Sequence, residues 1–190
     1  MIHELLLKHI NKNAKFSKSE QEEFCKFFHT KAISKKEFLL EQGQICKFEG
    51  FVTKGCFRIF TIDKKGNENT LYFAAKDWWL MDIDSFMNHK PSELNMQALE
   101  DSEVLIITQK NKLSLYNTIP NAEKLFRIMF QKSIVAWQRR IIRNHSLTAK
   151  ERYVHFITNY PEIASKLTDR QTSSYLGITH EFLSKIKKLS

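Results

Sequence analysis

The residues best suited to chemistry in this chain stand near its C-terminal end, at 169–189: Asp-Arg-Gln-Thr-Ser-Ser-Tyr-Leu-Gly-Ile-Thr-His-Glu-Phe-Leu-Ser-Lys-Ile-Lys-Lys-Leu. Read at helical spacing, Leu176, Ile178, Leu183 and Ile186 make an apolar seam shared by two short helices. Ser173 is small where the first helix must let the second approach, and Gly177 stands where a tight turn needs a residue without Cβ, which is the spacing of a helix-turn-helix. Thr179 is placed to cap the second helix. That helix then presents His180, Glu181, Ser184, Lys185 and Lys188 on the side away from the seam, within reach of a major groove. Lys185 suits guanine O6 and N7 and Glu181 suits cytosine N4, whereas Lys187, Lys188, Thr168 and Thr179 suit phosphates. The chemistry is recognition of a polyanion, without bond making.

A short basic helix is often just a solvated face, so the charge distribution has to decide. The 190 residues hold 30 Lys and Arg against 21 Asp and Glu, a net charge of +9. Residues 138–190 carry ten basic and four acidic side chains, so this quarter of the chain holds +6 and the remainder is nearly balanced. That asymmetry, together with a helical stretch at 149–159 leading into the pair, favours nucleic acid as the partner. Other chemistries find little support. The histidines, His3, His9, His29, His89, His145, His155 and His180, are scattered, and no zinc-protease, serine-hydrolase or P-loop spacing occurs. Cys25, Cys46 and Cys56 are isolated and read as buried thiols, with no metal site, disulfide framework or cofactor indicated. No apolar run reaches the roughly 20 residues needed to cross a bilayer, and the polar N-terminus is unlike a signal peptide, so a cytoplasmic protein without membrane contact is expected.

The elements that must position the motif follow from periodicity. Residues 1–28 read as helical, with Ile2, Leu5, Leu6 and Ile10 and then Phe24, Phe27 and Phe28 on apolar faces, and Ser17 with Glu20 forming a capping box between them. From 31 to 108 the period becomes that of short antiparallel strands. The clearest hairpin is a strand at 51–62, a turn at 63–67 in which Gly66 supplies positive φ, and a strand at 68–74. A closing strand at 95–108, with Val104, Leu105, Ile106 and Ile107 apolar on both faces, reads as central. The set suggests a jelly roll or barrel. From Asn121 to about His145 a helix runs without Gly or Pro, and Leu125, Ile128, Met129, Val135, Ile141 and Ile142 form a broad stripe. Two uses fit that stripe equally: packing on the chain's own β-domain, or pairing with a second copy.

At this point the sequence resembles the Crp/Fnr family of bacterial regulators over essentially its whole length. The resemblance is carried by Phe51-Val-x-Lys-Gly55, Asp63-x-x-Gly66-x-Glu68, the pair Trp78-Trp79, Leu99-Glu-Asp-Ser-Glu-Val104 and the helix-turn-helix at 167–189. It implies an α+β fold: an N-terminal antiparallel β-roll of the jelly-roll, cyclic-nucleotide-binding-like type with flanking helices at 1–118, a long dimerisation helix at 119–145, and a small helix-turn-helix domain at 146–190. It also implies a homodimeric, sequence-specific transcription regulator on double-stranded DNA, with RNA polymerase as a further partner, and it tips the long helix toward dimerisation. The alternative is a ligand-binding or protein-interaction module of the same fold that has lost specific DNA binding.

The departures from the family are as informative. Members that bind cyclic AMP resemble one another in a Gly-Glu and Arg-containing phosphate cassette, since an anionic phosphate needs a guanidinium and close backbone N–H groups. The matching region here has no Arg between Arg58 and Arg127 and no Gly between Gly66 and Gly177, and Asp82, Asp84 and Glu93 would repel a phosphate. Cyclic AMP is therefore not expected to bind. Trp78, Trp79, Asp82, Phe86 and Met87 are candidates for a pocket taking an unidentified small-molecule effector; the same aromatic residues equally suit a filled core. Many relatives continue past the second helix into a small β-wing, whereas this sequence stops at Ser190, so the expectation is either a domain that manages without a wing or a shortened chain.

Overall fold

The computed structural model describes residues 3–188; Ile2 and Leu189 of the motifs above lie outside the described residues. The chain opens with α1 (Glu4–Asn11) and α2 (Lys18–Lys26). Ser17 and Glu20 make the expected capping box, Ser17 Oγ accepting from the Glu20 amide at 3.2 Å and Glu20 Oε2 from the Ser17 amide at 2.7 Å. Next come β1 (His29–Ile33), β2 (Phe38–Leu40), β3 (Phe48–Lys54), β4 (Cys56–Ile62), β5 (Glu68–Ala75) and β6 (Trp79–Leu80). The helix α3 (Ile83–Asn88), the strands β7 (Asn95–Ala98) and β8 (Ser102–Thr108), and the helix α4 (Gln109–Thr118) complete the first part of the chain. The long α5 (Pro120–Ser146) leads to α6 (Ala149–Asn159), α7 (Pro161–Ala164), α8 (Asp169–Leu176) and α9 (His180–Lys188). The strands form two antiparallel four-stranded sheets, ordered β1-β8-β3-β6 and β2-β7-β4-β5, so the expected α+β architecture with an N-terminal antiparallel sandwich is what forms.

Two of the long strands read from the sequence are each two strands in different sheets. The run 51–62 breaks at Gly55, which separates β3 in the first sheet from β4 in the second. Gly55 has φ +89°, and a Cβ there would stand 2.1 Å from Ser102 Oγ. The run 95–108 breaks at 99–101, between β7 and β8. Periodicity missed both breaks because crossing between sheets preserves the apolar alternation on either side. The hairpin of β4 and β5 around Gly66 and the central place of the second run stand as read, since β8 lies between β1 and β3, and β7 between β2 and β4.

The position of β8 organises the core. Val104 and Ile106 face the second sheet with Val52, Phe57, Ile59, Met96 and Phe86. Leu105 and Ile107 face the helices with Phe51, Leu6, Ile10, Phe24, Leu115, Leu125 and Phe126. An ion pair crosses the second layer: Glu49 on β3, fully buried, pairs with Lys112 on α4, whose ammonium lies 4.5 Å from the Phe126 ring centroid. Burial pushes the Glu49 carboxyl up, with Lys112 opposing. The long helix splits its duties. Its start is held by Ala122, Leu125 and Phe126 against the β-domain, whereas Ile134, Val135, Trp137, Ile141 and Ile142 are exposed. Both readings of the apolar stripe thus find a segment that suits them.

The two turn glycines separate conformational from steric cost. Gly66 has φ +81° with open space around it, so Gly66→Ala should lower stability by about 1 kcal/mol from backbone strain alone. Gly55→Ala adds the collision with Ser102 and should lower it by about 3 kcal/mol. Urea unfolding of the two variants checks the difference; equal losses would mean that the sheet crossing at Gly55 is not sterically demanding.

Candidate nucleic-acid interface

The helix pair is built as its sequence requires. Thr168 and Gln171 close a capping box on α8, with Gln171 N donating to Thr168 Oγ1 at 3.2 Å and Thr168 N to Gln171 Oε1 at 3.0 Å. Gly177 ends α8 in the left-handed region at φ +65°, which lets the Ile178 amide turn back to the Ser173 carbonyl at 3.1 Å. Thr179 Oγ1 then accepts from the Phe182 amide at 3.2 Å and starts α9. Leu176, Leu183, Ile186 and Ser173 are buried in the seam.

The expected contact residues fall into two groups. His180, Glu181, Lys185 and Lys188 are exposed on α9, with Ser184 half-buried beside them. Hydrogen bonds from its own amide and from the Thr179 hydroxyl hold the Glu181 carboxyl below its ordinary value, so it is an acceptor at neutral pH. Thr168, Thr179 and Lys187 are already engaged. The two threonines cap their helices, and Lys187 is paired with Asp169 on α8. Phe182, exposed among the polar residues of α9, was missed by a reading that looked for charge. Its place one residue before Leu183 in the seam was the available signal.

What aims this pair is its seat on the β-domain. Cys56 and Phe73, on the outer face of β4 and β5, pack with Phe156, Ile163, Leu176 and Leu183. The Phe73 and Tyr175 rings lie 5.2 Å apart, and Trp78 meets Tyr160 edge-on at 5.9 Å. Into this apolar contact the β-domain inserts Arg58, only 2 % exposed. Its guanidinium donates to Thr70 Oγ1 at 2.7 Å, Glu68 Oε2 at 2.5 Å and Ser174 Oγ at 3.2 Å. Ser174 also accepts from the Thr70 amide at 2.9 Å and donates to the Glu68 carbonyl at 2.6 Å. Arg140 on α5 closes the seat from the other side, stacked 4.1 Å from the Tyr175 ring centroid and donating to the carbonyls of Thr70 and Tyr175.

The five candidate effector-pocket residues do not come together. Trp79 packs with Phe51, Phe28 and Phe126 on the helix side, its indole N–H donating to His9 Nε2 at 3.3 Å. Phe86 is buried between the sheets, Trp78 belongs to the seat just described, and Met87 is exposed. Asp82 caps α3, one carboxylate oxygen accepting from the amides of Asp84 and Ser85 and the other from Ser92 Oγ at 2.6 Å.

The Ser174 hydroxyl is the crossing point of the seat. Ser174→Ala should leave both domains folded while weakening their contact by about 1–2 kcal/mol, seen as roughly ten-fold faster hydrogen exchange confined to α8 and its neighbours on β5. Unchanged exchange there would mean that the apolar cluster alone holds the seat.

A family model, the cyclic nucleotide-binding domain, matches residues 30–119, which run from β1 through α4. No curated protein is matched by sequence. Solved structures are similar over nearly the whole chain at low identity. FixK2 of Bradyrhizobium japonicum is 15% identical with a TM-score of 0.73, over 85% of this chain and 83% of that one. The c-di-GMP-responsive global regulator CLP of Xanthomonas campestris is 16% identical with a TM-score of 0.73, over 91% of each. A transcriptional regulator of the Crp/Fnr family from Eubacterium rectale is 15% identical with a TM-score of 0.71, over 92% and 83%. Residues 30–119 are thus similar to the cyclic nucleotide-binding domain, and the chain as a whole shares the fold of these solved regulators.

Proposed function

We propose that the chain is a homodimeric, sequence-specific DNA-binding transcription regulator that does not depend on cyclic AMP. The observation that carries this reading is the α8–α9 pair, with a capped second helix whose outward face offers His180, Glu181, Lys185 and Lys188 to a groove. The dimer is supported by the exposed apolar residues on α5: Ile134 recurs as Ile141 and Val135 as Ile142, seven residues on, which is coiled-coil spacing. The similar fold of solved regulators supports the regulator reading. Two recognition helices about 34 Å apart would then address a palindromic site.

Cyclic AMP independence is supported by how α3 is capped. A helix N-terminus attracts an anion through its unpaired N–H groups, and here the Asp82 carboxylate takes the amides of Asp84 and Ser85. A phosphate would meet a negative charge, with Asp84 alongside.

A gel shift against promoter fragments with excess non-specific competitor tests the main reading. A discrete complex that weakens steeply with salt is expected. Ile141→Glu should yield a monomer by analytical ultracentrifugation and lose at least ten-fold in affinity, while Lys185→Ala should relax base preference. Retention of no complex by the wild-type dimer would favour a module of this fold without specific DNA binding. Separately, calorimetric titration with cyclic AMP should show no saturable heat at micromolar concentrations, and tight binding would overturn the reading of α3.

A further inference from the structure

A second basic feature lies behind the helix pair, away from the exposed face of α9. Where the C-terminal half of α5 meets α6 and α8, a half-open recess of about 20 Å³ is lined by Arg140, Arg143, Asn144, Arg152, His155 and Tyr175, with Phe156 and Leu176 at its base. None of the residues lining it is acidic.

Part of this charge has a structural task. Arg152 donates from Nη1 to the Leu147 carbonyl at 2.8 Å and from Nη2 to the Leu176 carbonyl at 3.2 Å, tying α6 to the end of α8. Arg140 serves the seat on β5. What remains has no such task. Arg152 Nε is buried without a hydrogen-bond partner, and the Arg143 guanidinium makes no hydrogen bond or ion pair among the described residues. The cations also feel one another. Burial, and then the charge of Arg143, hold His155 below its ordinary value; burial lowers Arg140, with Tyr175 opposing and Arg143 adding to the fall.

Three guanidiniums gathered on a partly buried recess without a carboxylate are an unfavourable arrangement that an anion relieves. Guanidinium forks match the oxygens of a tetrahedral oxyanion in geometry, and they bind it more strongly in a partly desolvated site than in water. The size of the recess limits the ligand. It admits one or two oxygen atoms, so a compact group seats an edge among the arginines and leaves the rest at the mouth. We propose that this recess binds a compact oxyanion, inorganic phosphate or the phosphate of a small metabolite, and that the bound anion ties α5 to the helix-turn-helix unit. The site stands whether or not α9 reads DNA.

The test is thermal unfolding of the full chain titrated with inorganic phosphate, and in parallel with glycerol 3-phosphate, at ionic strength held constant with chloride. A saturable rise in Tm of about 2–4 °C is expected. Arg143→Gln, which removes no hydrogen bond or ion pair found among the described residues, should not lower the unliganded Tm and should abolish the rise. Lys185→Gln, on the far face, should keep it. A larger response to glycerol 3-phosphate would identify a metabolite as the source, and equal responses the free ion. The proposal is overturned if no saturable rise occurs, if chloride alone gives it, or if Arg143→Gln responds like the wild type. It is overturned equally if phosphate has no effect and Arg143→Gln only weakens DNA binding, since the recess would then lie on the path of the DNA backbone.

Discussion

The orientation of the helix-turn-helix rests on one buried guanidinium. Arg58 sits in the middle of β4 between Cys56 and Phe60, facing outward from the sandwich, where a charged side chain would ordinarily meet water. Covering it with α8 is costly unless each guanidinium nitrogen finds a partner. Glu68, Thr70 and Ser174 supply those partners, and the Phe60 ring lies 4.3 Å from the guanidinium carbon. Apolar contact between Phe73, Phe156 and Tyr175 provides attraction without direction; the Arg58 network provides direction, because only one rotation of α8 brings Ser174 to it. The direction of α9 follows from that of α8 through the seam of Leu176, Leu183 and Ile186.

The same seat explains why the charge excess of the last quarter of the chain overstates its footprint. Arg140 and Arg152 are spent on backbone carbonyls, Lys166 pairs with Glu100 at 2.5 Å, and Lys187 pairs with Asp169. Each tether joins one part of the fold to another. The exposed cations on the outer face of α9 are chiefly Lys185 and Lys188. A face this small reads few bases alone, which is why pairing through α5 matters to the proposed function: a second copy doubles the contacts and fixes their spacing.

The sandwich supplies rigid support through β8. Alternate residues of this strand serve two different cores, Val104 and Ile106 between the sheets and Leu105 and Ile107 beneath the helices. A strand apolar on both faces is confined to the middle of a layered structure, and that confinement also sets where α4 and α5 leave the domain. The Glu49–Lys112 pair reinforces this exit, since a buried carboxylate tolerates only a geometry that keeps the ammonium within reach.

Local rules determined much of this protein from its sequence alone. The capping box at Ser17, the turn at Gly177, the β4–β5 hairpin at Gly66, the unbroken α5 and the central β8 are all legible because each depends on residues within a turn or a strand of one another. Tertiary structure decided the rest. Gly55 divides one apolar run between two sheets, and nothing in its alternation marks the break. Trp79 and Phe86 are near neighbours in sequence yet enter separate cores, since the step from β6 to α3 takes the chain from one layer to the other. Arg58 and Ser174, 116 residues apart, acquire their roles only when the helix pair folds back on β5. Capping and periodicity are short-range and written in spacing. Docking is a matter of which distant polar groups must satisfy one another once water is excluded, and only the folded chain brings them together.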